Sequence, residues 1–365
     1  MNRKREIFLG AVGIGGDHPV SVQSMTTTPP GDATATLRQI GEMARAGGDI
    51  VRVALPDEHA LPAFAAITAG SPLPVVADIH FDARLAIAAM ERGAAGVRIN
   101  PGNVGGRQKF SEVLRAAKDH RIPLRLGVNS GSIEKGHLLA GKDRVRALVD
   151  SLLDHVHYAE DCGFTMLKLS VKSSDIRETV AAYREVDRAC DYPLHVGLTE
   201  AGTLLSGAVK SSLGLAPLLL EGIGNTLRVS LTADPVREVE VGRMILRFLG
   251  LSQRGLEVIS CPTCGRTSVD LIPRVEEFEC QVRQRGLGDL PLTVAIMGCE
   301  VNGPGEAAEA DLGVAFSRRQ GFLFQRGQSM EKVPQDQAIE RLLERVAALA
   351  AARSPREPPC APAGH

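Results

Sequence analysis

Three thiols and a carboxylate fall in two short, Gly/Pro-rich stretches in the last third of this 365-residue chain. The first is Cys261-Pro262-Thr263-Cys264-Gly265-Arg266-Thr267. The second begins 35 residues after Cys264 and reads Cys299-Glu300-Val301-Asn302-Gly303-Pro304-Gly305-Glu306. Structural zinc normally takes two pairs of ligands. Here the first pair fits, but Cys299 has no Cys or His three residues away. A thioredoxin-like pair accounts for Cys261 and Cys264 and leaves Cys299 idle. An iron–sulfur cluster takes thiolates, and iron also accepts a carboxylate. Cys261, Cys264 and Cys299, with Glu306 as the nearby oxygen donor, suit a [4Fe–4S] cluster with one exchangeable corner. Such a centre does redox chemistry, so the long stretch before Cys261 must hold the substrate.

Composition narrows the setting. Seven cysteines are too sparse for a disulfide framework. Cys162, Cys190, Cys280 and Cys360 read as small apolar residues with a reducible thiol. A net charge of −1 gives no general pull toward nucleic acid or an anionic membrane, so any anion affinity must come from locally placed Arg and Lys. There is no apolar run of about 18 residues and no signal-peptide pattern at the start, which leaves a cytoplasmic enzyme as the expectation.

The elements that must position these groups alternate. Strand-like runs at 19–25, 49–55, 73–79, 96–99, 123–128, 166–171, 192–198 and 225–231 are each followed by a segment of helical period. Eight β/α repeats in about 230 residues predict a TIM-type (β/α)8 barrel, with its strands buried on both faces. A doubly wound open sheet is the competing arrangement. Residues 7–16 read as a glycine-rich hairpin closing the barrel's bottom. The expected domains are a substrate-binding barrel over 1–250 and a small α/β cluster domain over 255–353, with a disordered tail over 354–365. In the second domain, a helix over 268–285 contains Pro273, which is tolerated only in the first turn or at a kink.

In such barrels chemistry sits where strands end. Those positions carry Arg52, Arg98, Arg125, Lys168, Lys172 and Arg228, with Asp78 and His80 among them. Cations at so many strand ends repel one another unless an anion joins them, and a diphosphate or bisphosphate satisfies them. Glu200, in Gly-Leu-Thr-Glu-Ala-Gly, is either an acid/base or a group that orients an Arg or Lys. Asp78 and His80 are either substrate contacts or a pair that steadies them.

The chain resembles the bacterial 4-hydroxy-3-methylbut-2-enyl diphosphate synthases of the non-mevalonate isoprenoid pathway. The resemblance spans nearly the whole chain. It rests on Val12-Gly13-Ile14-Gly15-Gly16, Pro19-Val20-Ser21-Val22-Gln23-Ser24-Met25-Thr26, Val97-Arg98-Ile99-Asn100-Pro101-Gly102-Asn103 and Leu126-Gly127-Val128-Asn129-Ser130-Gly131-Ser132. It continues through Ser170-Val171-Lys172-Ser173-Ser174-Asp175, Gly197-Leu198-Thr199-Glu200-Ala201-Gly202, Gly222-Ile223-Gly224-Asn225-Thr226-Leu227-Arg228-Val229-Ser230 and both cysteine stretches.

That likeness implies a [4Fe–4S] cluster on Cys261, Cys264, Cys299 and Glu306. It implies 2-C-methyl-D-erythritol 2,4-cyclodiphosphate as substrate, its diphosphate held by Arg52, Arg98, Arg125, Lys172, Arg228 and Ser230, with Asn129 and Thr199 nearby. Glu200 resembles the family's catalytic glutamate, and Glu306 is a removable ligand. The family is homodimeric, one subunit's cluster domain capping the other's barrel. Flavodoxin or ferredoxin must supply electrons, because no flavin or nicotinamide motif is visible. Two other readings stand beside this one: a phosphate-binding barrel aldolase or transferase with structural zinc, and a non-enzymatic iron–sulfur sensor.

Overall fold

The computed structural model describes residues 4–129, 143–252, 255–288, 290–299 and 309–353. It divides into two units, Met1–Ser252 and Gln253–His365. Glu306, Ser130 and the tail at 354–365 lie outside the described residues.

The first unit is built on eight parallel strands. They are β3 (Ser21–Met25), β4 (Ile50–Ala54), β5 (Val75–Asp78), β6 (Gly96–Ile99), β7 (Leu124–Asn129), β8 (Leu167–Lys172), β9 (His195–Val196) and β10 (Thr226–Leu227). They pair in the order β8-β7-β6-β5-β4-β3-β10-β9, and a parallel bridge from Leu169 to Leu194 joins the two ends. The sheet is thus a barrel rather than an open doubly wound sheet. The helices after the strands are α1 (Ala33–Arg45), α2 (Leu61–Gly70), α3 (Ala83–Glu91), α4 (Gly106–His120), α5 (Arg144–Asp161), α6 (Ile176–Ala189), α7 (Leu204–Leu220) and α8 (Pro235–Phe248). Asp32, Asp82, Asp175 and Asp234 accept backbone N–H bonds at the starts of α1, α3, α6 and α8, which fixes where each loop turns into helix.

The strands are buried on both faces, as expected, but only one of those faces is apolar. Strand side chains alternate between faces, and β7 (Leu-Arg-Leu-Gly-Val-Asn) and β8 (Leu-Lys-Leu-Ser-Val-Lys) follow that rule strictly. Leu124, Leu126, Val128, Leu167, Leu169 and Val171 join the aliphatic layer between sheet and helices. The alternate set, Arg125, Gly127, Asn129, Lys168, Ser170 and Lys172, faces the lumen. The lumen is therefore polar, unlike the branched aliphatic filling usual in such barrels. The runs expected at 192–198 and 225–231 form ladders only at His195–Val196 and Thr226–Leu227. Just beyond, the Arg228 N–H still donates to the Val196 carbonyl at 3.0 Å, and a Cβ on Gly197 would lie 2.5 Å from the Arg228 carbonyl oxygen, so glycine is required at that approach.

The N-terminal hairpin, β1 (Ile7–Leu9) and β2 (Val12–Ile14), seals the lower end. Ile7, Leu9 and Ile14 pack with Ile50, the first residue of β4, and with Val76 near the start of β5. Gly96 at the start of β6 leaves room for Leu9, whose Cδ2 sits 2.5 Å from where a Cβ would be.

The second unit contains β11 (Glu257–Ser260), α9 (Leu271–Gln284), β12 (Thr293–Met297), β13 (Leu312–Phe316), β14 (Gln320–Gln325), β15 (Gln328–Pro334) and α10 (Ala338–Arg353). The five strands pair in sequence order. The first three are parallel, and β14 and β15 run antiparallel to their neighbours. Phe278, Val294, Ile296, Val314, Phe316, Leu342 and Val346 form its core. Pro273 is the third residue of α9, within the first turn, where its missing N–H does no harm. Strand β15 was not expected, because its largely exposed residues lack an apolar alternation. The signal for it is Arg326-Gly327, both with positive φ, the pattern of a tight hairpin turn. Among the described residues, no helix is long and apolar enough to cross a membrane.

If the hairpin is the barrel's floor, Leu9→Ala leaves a cavity under β4–β6. We expect a loss of about 2–4 kcal/mol and a drop in Tm of about 4–16 °C, read by circular dichroism. An unchanged Tm would show that the hairpin merely rests on the barrel.

Candidate active site

The lumen concentrates positive charge. Arg52, Arg98, Arg125, Lys168 and Lys172 are all buried, and Arg228 is half-buried. Their placement corrects the picture of a cationic rim. Arg125 and Lys168 are the second residues of β7 and β8, and they pair in register with each other and with Arg98. The cations therefore descend into the barrel instead of lining only its edge. Asn129 ends β7 opposite Lys172. Thr199 and Ser230 are half-buried on the segments after β9 and β10, and the Thr199 N–H donates to the Ser173 carbonyl at 3.5 Å.

Two carboxylates answer this charge. Asp78, on β5, lies 3.3 Å from Arg98 Nη1 and 3.8 Å from Arg52 Nε, and its other oxygen meets His80 Nε2 at 3.1 Å. Burial alone would raise the Asp78 carboxyl. Arg52, the His80 hydrogen bond, Arg98 and Arg125 together outweigh it and hold the group well below the usual carboxylate range. Asp78 and His80 thus form a pair that steadies Arg98, while His80 stays exposed. Glu238, which the sequence reading missed because it sits in a helix, grips Arg228.

The lumen cations nonetheless remain under-satisfied. Arg52 directs Nε and Nη2 at the Met25 thioether, 3.2 and 2.9 Å away, a weak acceptor for a guanidinium. Burial, partly offset by Asp78, lowers Arg52 to about 10. Among the described residues, Arg125 Nε and Nη1, Arg98 Nε and Lys168 Nζ have no hydrogen-bond partner. Burial first, and then repulsion by neighbouring cations, pushes Arg125, Lys168 and Lys172 well below their ordinary values. Gly197 matters here too, because a Cβ there would lie 2.8 Å from Lys172 Nζ. A buried, unpaired donor is costly, and an anion with several oxygens relieves many of them at once.

Glu200 follows Thr199 in left-handed backbone, with φ 55°, a strained state for a residue with a side chain. It is exposed. Lys210 Nζ donates to its backbone carbonyl at 3.2 Å rather than to its carboxylate.

The thiols lie at one end of the second sheet. Cys261 follows the last residue of β11, and Cys299 stands two residues beyond β12. Because these strands are parallel neighbours, Ser260 pairing with Ile296, the two loops start side by side. The Gly298 N–H points at Cys261 Sγ at 3.3 Å, and the Ser268 N–H binds the Gly298 carbonyl at 2.8 Å. Hydrogen bonds from the backbone and then the side chain of Arg266 lower the Cys264 thiol. All three cysteines are free. Among the described residues, no three Cys, His, Asp or Glu side chains converge closely enough to hold a metal ion as placed. The donor set nonetheless fits a thiolate-held centre: reduced sulfurs on adjoining loops, with N–H groups aimed at sulfur.

These features define a two-domain barrel protein, with a lumen suited to a multiply charged anion and a separate thiol-bearing α/β domain. The chain belongs to the GcpE family: residues 4–243 match its TIM-barrel domain and residues 257–348 its C-terminal domain. It is similar to the 4-hydroxy-3-methylbut-2-en-1-yl diphosphate synthase (flavodoxin) of Maridesulfovibrio salexigens, 53% identical over 342 residues, covering 93% of this chain and 95% of that one. The proteins of the same name from Lawsonia intracellularis and Geobacter sulfurreducens are each 51% identical. The matches cover 94% of this chain in both cases, and 96% and 97% of the relatives.

The depressed lysine and arginine values predict a pH dependence of anion binding. An anion favours the charged cation, so binding takes up a proton wherever the free group is neutral. Affinity should therefore fall, by up to tenfold per pH unit for one proton, as pH rises above the free Lys172 value. Sulfate is a suitable probe because its own charge is constant over that range. Calorimetry should show a pH-dependent Kd for the native protein and a weaker, flatter one for Lys172→Met. Identical pH profiles would remove Lys172 from the anion site.

Proposed function

We propose that this chain catalyses the reductive ring opening and dehydration of 2-C-methyl-D-erythritol 2,4-cyclodiphosphate to 4-hydroxy-3-methylbut-2-enyl diphosphate, in isoprenoid precursor biosynthesis. The reading is carried by one observation: near full-length identity of about 50% to synthases of that name, in a chain whose lumen holds buried cations with unbonded donors among the described residues. A zinc-bearing aldolase and an iron–sulfur sensor are less favoured, because neither accounts for both features.

In this mechanism Arg52, Arg98, Arg125, Lys172, Arg228 and Ser230 bind the cyclic diphosphate, with Asn129 and Thr199 alongside. Desolvated cations meeting phosphoryl oxygens in a dry lumen bind more strongly than they would in water. Cys261, Cys264, Cys299 and Glu306 would hold a [4Fe–4S] cluster, which would supply the two electrons one at a time. Glu200 is the proton donor. Its carboxylate binds no Arg or Lys among the described residues, and its strained loop presents it to solvent beside Thr199. One ring C–O bond opens, and the departing hydroxyl takes a proton and leaves as water.

Flavodoxin, named in the relatives, is the proposed electron donor, with ferredoxin the alternative. The protein is a cytoplasmic homodimer. The dimer is supported by an exposed apolar stripe at one-turn spacing on α7, Leu205, Val209 and Leu213, with Leu220 further along and Phe248 on α8.

Anaerobically reconstituted protein should convert the cyclodiphosphate with a strong one-electron reductant. Arg98→Gln and Lys172→Met should each lower kcat/KM about 100-fold. Absence of product from intact, reconstituted protein would overturn the assignment. Metal analysis checks the cofactor independently: about four iron and four sulfide per chain are expected, lost in Cys264→Ser. Zinc without sulfide would return the zinc reading.

A further inference from the structure

Glu238 lies in the first turn of α8, in the helix layer outside the strands, yet only 4% of it is exposed. Four donors meet its two oxygens. Oε1 accepts from Arg228 Nη2 at 3.2 Å and from the Leu231 backbone N–H at 3.0 Å. Oε2 accepts from Arg228 Nε at 3.2 Å and from Ser24 Oγ at 2.8 Å. A carboxylate has about four lone-pair sites, so its capacity is filled. One side chain thereby ties together the upper end of β3 through Ser24, the Arg228 guanidinium, and the backbone directly after Ser230.

This grip sets the direction of Arg228. The Nε–Nη2 edge is one that a guanidinium can offer as a two-pronged donor. Glu238 occupies it, leaving Nη1 and the outer hydrogen of Nη2 for an anion. Asp78 does not hold its arginines in this way, meeting Arg98 through Nη1 alone and Arg52 at 3.8 Å.

Charge and geometry make opposite forecasts for this residue. A carboxylate beside an anion site repels the anion, so by Coulomb's law alone its removal should strengthen binding. If it aims Arg228 and fixes the Ser230 segment, its removal should weaken binding. We propose that Glu238 is a positioning residue for the diphosphate: acting through Arg228 and the Leu231 N–H, it directs the free edge of Arg228 and the Ser230 segment at the anion without touching it. This rests on the substrate reading above.

The test uses reconstituted holoenzyme with cyclodiphosphate and a strong one-electron reductant. Glu238→Gln keeps the shape but has one acceptor oxygen in place of two, and its amide hydrogens face Arg228 or the Leu231 N–H. It should raise KM about 10- to 100-fold while kcat stays within about threefold. Glu238→Asp keeps the charge with a shorter reach and should lie between Glu238→Gln and the native protein. In an Arg228→Gln background, Glu238→Gln should add less than about threefold, because both changes remove the same contact. A KM that falls or stays unchanged in Glu238→Gln overturns the proposal, as does an undiminished effect in the Arg228→Gln background. Should Glu238→Gln fail to fold, an unchanged KM in Glu238→Asp is equally fatal. Failure of the substrate reading is distinct, since native holoenzyme would then not turn over the cyclodiphosphate at all.

Discussion

Like charge buried in a barrel is the constraint on which the rest of this structure depends. Two cations about 6 Å apart repel by about 3 kcal/mol at an effective dielectric of about 20. The lumen gathers five buried cations and a half-buried sixth against Asp78 and Glu238. The free protein tolerates this through depressed pKa values and through donors that wait on weak or missing acceptors, such as Arg52 on the Met25 thioether. An anion with several oxygens would relieve this repulsion, which is the basis of the proposed substrate site.

Holding such a lumen open takes rigid surroundings. The aliphatic layer between strands and helices supplies most of the hydrophobic stabilisation, because the lumen supplies little. The N-terminal hairpin seals the floor with Ile7, Leu9 and Ile14, so the charged rows above are not open to water from below. Asp78 acts from inside the barrel and Glu238 from the helix layer. Asp78 meets Arg98 and Arg52 from two different strands, and Glu238 holds Arg228, so the spacing of the cations is set by the backbone as well as by their own rotamers.

In the second unit, parallel pairing does the equivalent work for sulfur. Strands β11 and β12 run side by side and end together, so Cys261 and Cys299, 38 positions apart in the chain, emerge on adjoining loops. The Gly298 N–H faces the Cys261 sulfur, and hydrogen bonds from Arg266 lower the Cys264 thiol.

Much of this was legible in the sequence. Eight β/α repeats, the strict alternation in Leu-Arg-Leu-Gly-Val-Asn and Leu-Lys-Leu-Ser-Val-Lys, and the unpaired Cys-x-x-Cys are local patterns, and local patterns reflect period and ligand chemistry directly. The same alternation places Arg125, Lys168 and Lys172 on one strand face, inside the barrel as well as at its strand ends. Strand β15 was hidden because an exposed edge strand needs no apolar pattern. What only the tertiary structure decided is which groups meet. Glu238 looks like any acidic residue in a helix's first turn, and Ser24 like any strand serine, until α8 packs beside β3 and places both against Arg228. Residue types and spacing determined the chemistry available to this protein. The register of strands closing into a barrel determined which charges are neutralised and which are left for a ligand, because electrostatic energy depends on distances through space that the order of residues does not contain.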